Sequence, residues 1–270
     1  MAKQRLDTLL VTLNLCSSRQ QAQTLIRAGE VKVNQQTIDK PSAEIDPTAK
    51  IELLAKPNFV SRGGEKLAKA LGSFQISVKD RICLDGGIST GGFTDCLLQA
   101  GAKQVYGIDV GYGQVAWNLR QDERVILKER TNFRYLTPEL LYGSATPADL
   151  GVMDLSFISL TKVLQPLWDL LIHPREVILL VKPQFEVGKE KVGKNGVVRS
   201  PLDQANSIFN VLQVAQQLGW SYAGLTYSPI TGPAGNIEYL LWLNVAEQKS
   251  LPTLEMIHDM TETAIRSFQN

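Results

Sequence analysis

Arg81-Ile82-Cys83-Leu84-Asp85-Gly86-Gly87-Ile88-Ser89-Thr90-Gly91-Gly92-Phe93-Thr94-Asp95 decides how the rest of the chain is read. A short apolar run ends in an acid, a glycine-rich loop follows, and a helix is expected over 95–101. Strand, glycine loop and helix in this order open α/β folds, where ligands sit beyond the carboxyl ends of the strands. Glycine in such a loop adopts positive φ and lets the backbone approach a ligand closely. The G-x-G-x-x-G spacing of dinucleotide sites is absent, because the glycines fall in pairs, Gly86-Gly87 and Gly91-Gly92.

The pattern repeats downstream. Val105-Tyr106-Gly107-Ile108-Asp109 is a second apolar run ending in an acid, Asp109 lying 24 residues after Asp85. Val125–Leu127, Leu150–Asp154 and Val177–Lys182 continue the series, and strands at 222–227 and 239–243 complete it. Short apolar strands alternating with helical segments indicate βαβ units around a mostly parallel sheet. Asp85, Asp109, Asp154 and Lys182 are then all expected at strand ends. An acid at the first strand end sits badly against a pyrophosphate and suits a cationic, zwitterionic ligand. S-adenosylmethionine, with a sulfonium and an ammonium and no phosphate, is such a ligand. Asp85, Gly86, Gly87, Ser89, Thr90, Gly91, Gly92 and Phe93 are its candidate cradle. Asp109 is placed for ribose hydroxyls, and Val110, Thr131 and Asn132 complete the set.

Upstream lies a smaller unit. Leu6, Leu9, Leu10 and Leu13 have helical spacing over 6–15. Ser17 or Ser18 caps a second helix that Gly29 ends. Val31 and Val33 alternate with polar residues as a strand, Asn34-Gln35-Gln36 turns, and Lys50–Leu54 is a second strand. Pro57-Asn58-Phe59 marks a boundary, followed by a helix over 64–71. The expected organisation is 1–56 as a small α+β unit, 57–62 as linker and 63–270 as the larger domain. Ser250–Asn270 is expected to end the chain in a packing helix.

Lysines and carboxylates are the candidate chemistry. Asp154-Leu155-Ser156-Phe157 lacks the Pro-Pro of enzymes that methylate base amines, and no cysteine stands where a covalent attack on a pyrimidine would need one. An alcohol acceptor suits what remains, since its proton must be taken or oriented as it attacks. Lys182 is the candidate base, Lys66 a second ammonium beside it, and Asp154 and Glu238 orienting carboxylates. Two roles for Lys182 stand: a neutral lysine that accepts the proton, or a charged one that orients the hydroxyl.

The formal charge of +1 shows no global basic bias, so any nucleic-acid footprint is local. Residues 1–35 hold Lys3, Arg5, Arg19, Arg27 and Lys32 against Asp7 and Glu30. Arg19, Gln23 and Arg27 share a helix face suited to tracking phosphates. Lys189, Lys191, Lys194 and Arg199 form a second basic patch in a glycine-interrupted loop, expected to be mobile and to close over a splayed-out nucleotide. Arg62 joins the RNA-contacting candidates. Three cysteines without a C-x-x-C pair and two histidines argue against a metal site. No signal peptide or spanning segment is evident, so a cytoplasmic protein without a membrane role or obligate protein partner is expected.

Taken together these residues resemble the TlyA family, often labelled hemolysin A, which joins an S4 RNA-binding domain to an FtsJ-type ribose methyltransferase domain. The resemblance rests on Arg5-Leu6-Asp7, Ser18–Ala22 and Gly29–Asn34 for the S4 part. It rests on Val60-Ser61-Arg62-Gly63, Asp109–Gln114, Asp154–Leu160, Val181–Gly188 and Gly235–Tyr239 for the rest. It implies a Rossmann-like, S-adenosylmethionine-dependent domain. It also implies a Lys-Asp-Lys-Glu tetrad at Lys66, Asp154, Lys182 and Glu238, and 2′-O-methylation of cytidine in 16S or 23S ribosomal RNA. The family's Pro-Gly-Gly-Trp loop reads Thr90-Gly91-Gly92-Phe93 here. Alternatives are an RNA-binding assembly factor with a non-catalytic fold, a membrane-acting cytolysin and a base methyltransferase.

Overall fold

The computed structural model describes residues 3–16, 18–27, 29–53, 58–246 and 250–269 and divides into two compact units, Met1–Pro57 and Asn58–Asn270. Ser17, Leu54, Pro57 and Asn270, used above for a helix cap, a strand end, a boundary and the last helix, lie outside the described residues.

The smaller unit runs β1 (Gln4–Arg5), α1 (Leu6–Thr12), α2 (Arg19–Arg27), β2 (Val31–Val33), β3 (Gln36–Thr37), β4 (Glu44–Ile45) and β5 (Ile51–Leu53). β2 pairs antiparallel with both β3 and β5, and β1 pairs with β4. Leu6, Leu10, Ala22, Ile26, Val31 and Val33 form its core, as their helical and alternating spacings require. Ser18 caps α2, its Oγ accepting from Gln21 N at 3.2 Å. Gly29, at φ +72°, stops the helix. α1 is shorter than its leucine spacing predicts. Leu15 N and Cys16 N both turn back to Leu10 O, Asn14 takes φ +56°, and Leu13 is left exposed.

Asp7 organises this unit. Its carboxylate is fully buried and accepts from Arg5 Nε (3.1 Å) and Nη2 (2.9 Å), Arg19 Nε (3.0 Å) and Gln23 Nε2 (2.9 Å). The Arg5 guanidinium above all, with Gln23 and Arg19, outweighs burial and holds the Asp7 carboxyl well below the usual range. Three of the expected RNA-contacting side chains therefore share one buried anion.

The larger unit runs α3 (Gly63–Phe74), β6 (Ile82–Gly86), α4 (Gly92–Gln99), β7 (Gln104–Ile108), α5 (Trp117–Arg120), β8 (Val125–Lys128), α6 (Pro138–Tyr142) and β9 (Leu150–Met153). It continues with α7 (Leu164–Leu170), β10 (Glu176–Val181), α8 (Pro183–Glu186), α9 (Pro201–Gln217), β11 (Ser221–Tyr227), β12 (Tyr239–Asn244) and α10 (Leu254–Ser267). The seven strands lie in the order β11-β12-β10-β9-β6-β7-β8. β10, β9, β6, β7 and β8 are parallel, while β12 runs antiparallel to both β10 and β11. The chain thus builds outward from β6 in both directions, and ligand crevices form at such a reversal.

The strand alternation separates two cores. Val177, Leu179 and Val181 of β10 face a core shared with α7, α9 and α10, whereas Ile178 and Leu180 face one shared with α3 and α4. The sheet is covered on both faces, so its strands read as continuous apolar runs. α4 begins three residues before its expected start, because Gly91 at φ +101° turns the chain directly into the helix. Val60, in the segment expected as a linker, donates its N–H to Asp95 Oδ2 at 2.8 Å. No described helix is long and apolar enough to cross a membrane.

Removing the Asp7 acceptor should weaken the smaller unit. Asp7→Ala is expected to lower its stability by about 2 kcal/mol, read as an earlier first transition in urea unfolding of the full chain. Because the folded carboxyl titrates below its unfolded counterpart, this contribution is complete above the unfolded value. It fades as the pH falls below about 4. The variant should therefore converge with the parent in acid.

Candidate active site

The carboxyl ends of β6, β7 and β9 open onto two adjoining cavities. The first, of about 200 Å³, has Arg62, Lys66, Gly92, Phe93 and Thr231 on its wall. The second, of about 310 Å³, has Asp109, Val110, Thr131, Leu155 and Phe157. Gly87, Ser89 and Asp154 belong to both walls, so the two compartments meet at the glycine loop and the end of β9.

Sterics explain why glycine stands in this loop. Gly87 takes φ +86°, and a Cβ there would lie 2.5 Å from the Asp154 carbonyl oxygen. A Cβ on Gly92 would lie 2.2 Å from Ser61 Oγ. The loop is held from below by Asp109, whose carboxylate accepts from Ser89 N at 2.8 Å and Gly111 N at 2.7 Å. A carboxylate offers about four acceptor directions, so Asp109 keeps capacity for hydroxyl donors in the second cavity.

Two lysine–carboxylate pairs stand at this edge. Lys66, on the first turn of α3, meets Glu238 at 2.5 Å, and both side chains are buried. Lys182, at the end of β10, meets Asp154 at 2.5 Å and donates to Ser156 Oγ at 3.0 Å. Each lysine therefore has its own carboxylate, and Lys66 carries a partnered charge rather than a bare one. Burial of a charge demands such pairing. Glu186 ties the loop after β9 to the loop after β10, accepting from Ser159 Oγ at 2.6 Å and Leu160 N at 2.8 Å. Burial pushes its carboxyl up, against these two hydrogen bonds.

Asp85 is on neither wall. It is fully buried under the loop, with Oδ2 accepting from Thr94 Oγ1 at 2.7 Å and no hydrogen-bond partner for Oδ1 among the described residues. Burial pushes its carboxyl up to about 7, opposed by the Thr94 bond and reinforced by the nearby Asp154 charge. Gly86 packs against Met153, and Gly91 serves the α4 turn. Asn132 caps a short 3₁₀ turn, accepting from Arg134 N at 3.1 Å, and lines neither cavity. The other expected cofactor residues, Gly87, Ser89, Thr90, Gly92, Phe93, Asp109, Val110 and Thr131, come together on the two walls.

Sequence reading passed over Ser156, Phe157 and Thr231 as individual site residues. Phe157 is 92% exposed and takes φ +65°, with its ring 5.3 Å from Phe185. A bulky residue at positive φ is held there by its surroundings, and nothing in its one-letter context announces it. Thr231 reaches the first cavity from the turn before β12, which only folding brings near β6.

The basic segment after α8, expected as a mobile loop, holds short turns at Lys189–Lys191 and Lys194–Gly196, the second kinked at Asn195 with φ +65°. Lys191 pairs with Asp203 at 2.8 Å, and Lys189 and Lys194 are exposed. In the smaller unit, Arg27 is exposed and Lys32 half-buried.

Residues 59–245 match the FtsJ-like methyltransferase family and residues 4–51 the S4 domain. The 16S/23S rRNA (cytidine-2′-O)-methyltransferase TlyA of Mycobacterium tuberculosis is 47% identical over 92% of this chain and 92% of its own length. Hemolysin A of Brachyspira hyodysenteriae is 40% identical over 87% of this chain and 98% of its own. A solved Streptococcus thermophilus chain that carries a hemolysin label superimposes with a TM-score of 0.76 at 41% identity, covering 100% of this chain and 98% of that one. The chain accordingly belongs to the TlyA/hemolysin A family, built of an S4 domain and an FtsJ-like methyltransferase domain.

Proposed function

We propose that this protein transfers a methyl group from S-adenosylmethionine to the 2′-hydroxyl of a cytidine in ribosomal RNA, of the small subunit, the large subunit or both. The observation that carries the proposal is Asp154. It stands on the wall of both cavities and is paired with Lys182, so the acceptor machinery meets a two-compartment ligand site at one residue.

The cavities fit a ligand with a nucleoside and an amino-acid end. Asp109 and Thr131 would take the nucleoside, and the Gly87–Gly92 backbone would pass close beneath the amino-acid end. Gly87, Thr90 and Gly92 of this stretch line the first cavity, and glycine lets a backbone run close to a ligand there. When bound, S-adenosylmethionine supplies an electrophilic methyl on a sulfonium. Lys182 has three donor directions; Ser156 Oγ takes one and the Asp154 carboxylate lies beside it as an ion partner, so a donor remains for the hydroxyl oxygen. We read Lys182 as orienting the hydroxyl, with Asp154, whose Oδ1 accepts no hydrogen bond among the described residues, placed to take the proton the hydroxyl releases. Lys66 and Glu238 hold the first cavity's far side in a fixed charge pattern, which lowers the reorganisation needed as charge moves.

Residues 1–56 serve as the RNA-binding part, 57–62 join the two, and 63–270 carry the chemistry. Arg5, Arg19, Gln23, Arg27 and Lys32 meet phosphates, with Arg62, Lys189, Lys191 and Lys194 on the catalytic unit. Ribosomal subunits as partners place this work in the cytoplasm.

Labelled S-adenosylmethionine is incubated with undermethylated small and large subunits separately, and the RNA is digested and analysed by mass spectrometry. A ribose methyl is expected, with Lys182→Ala lowering the rate by at least about a hundredfold. Transfer to a base, or none to either subunit or to whole ribosomes, refutes the proposal.

The Lys66–Glu238 pair separates stability from chemistry. Lys66→Met strands a buried carboxylate and should destabilise the larger unit by about 3 kcal/mol. Lys66→Met with Glu238→Leu should recover most of that in a melting experiment, yet remain inactive. Recovered activity in the double variant would remove the pair from the mechanism.

A further inference from the structure

The basic segment Gly188–Arg199 is rich in glycine and lysine, and such chain loses much entropy when it is fixed in place. Yet its end is fastened by a buried side chain. Asn236 is 2% exposed, accepts from Val198 N through Oδ1 at 3.0 Å, and donates through Nδ2 to Gly196 O at 2.8 Å. Both ends of one amide are thus spent on the segment's backbone, in one register. Gln204 holds the same point from the other side, its Nε2 donating to Val198 O at 2.7 Å.

Asn236 also belongs to the turn that presents Glu238. Its own carbonyl accepts from Gly232 N at 2.8 Å, and Glu238 O accepts from Ser228 N at 2.8 Å. Glu238, two residues on, carries the Lys66 bond, and Thr231 in the same turn lines the first cavity. One amide therefore spans the basic segment and the catalytic turn. Lys189 and Lys194, which have no ionic partner among the described residues, lie in the segment whose end this amide fastens.

We propose that Asn236 is a positioning residue: it fixes the lysine-bearing segment to the catalytic turn, so that RNA gripped by Lys189 and Lys194 enters the site in register. The inference rests on the RNA-methylating function proposed above. The carboxamide is required because one atom must accept and the other donate. An aspartate in its place would set a second oxygen against Gly196 O.

The test is a double-mutant cycle in the ribosomal methyl-transfer assay. Asn236→Asp should raise the KM for RNA about tenfold, with kcat and the affinity for S-adenosylmethionine little changed. Lys189→Ala with Lys194→Ala should raise it too and flatten its salt dependence. Adding Asn236→Asp to that pair should then change nothing more. Multiplying effects, or a lowered kcat at unchanged KM, overturn the positioning role. Lysine variants with wild-type KM overturn it as well, while leaving the methyl transfer standing; absence of transfer by the parent protein sinks the functional reading itself. A measurement on the parent protein needs no variant. The Val198 amide, bonded to Asn236 Oδ1, should exchange with deuterium as slowly as the β12 amides, and exchange as fast as that of the exposed Lys194 amide refutes the clamp.

Discussion

Lys66 and Glu238 are 172 residues apart in the chain and lie 2.5 Å apart in the fold, almost out of reach of water. An ammonium and a carboxylate are each expensive to bury, and neither is tolerated without the other. That demand brings the first turn of α3 to the start of β12 and closes the far side of the first cavity. The Lys182–Asp154 pair imposes the same condition between β9 and β10, neighbouring strands whose ends are already side by side. This edge of the sheet is therefore set by charge pairing on top of a hydrophobic layer structure that would tolerate many other arrangements.

The same physics appears on a smaller scale in the S4 unit. Asp7 is a buried anion collecting two guanidiniums and an amide, and it converts a cluster of like charges into an ordered surface. The arginines remain half-exposed above it, with side-chain exposures of 44% for Arg5 and 57% for Arg19. Two guanidiniums held around one internal carboxylate have their side-chain freedom reduced in advance. The cluster also explains how a chain of net charge +1 presents a basic face.

Between the charge pairs runs a loop whose shape is a matter of missing atoms. Gly87 and Gly92 leave room only because each lacks a Cβ, and Asp109 secures the loop by accepting its backbone N–H groups. Asp85 also stands at a strand end, yet its carboxylate lies buried beneath the loop. Its side chain points down, under Thr94, and the protein fold rather than solvent surrounds it.

The layer order was legible in the sequence, because short apolar runs bounded by glycine turns and helical segments are local properties. Continuous apolar runs at Ile82–Leu84, Val105–Ile108 and Val177–Val181, with glycines between strand and helix, indicate a parallel sheet with both faces covered. Asp154 and Lys182 were legible as strand-end residues, because each follows an apolar run directly. Tertiary structure alone decided who partners whom. Nothing local to Lys66 names Glu238, nothing local to Asp7 predicts that Arg19 and Gln23 will turn inward to it, and nothing local to Phe157 announces its exposure at positive φ. Such contacts join residues far apart in the chain, and their free energies arise from burial and geometry that exist only once the sheet has formed.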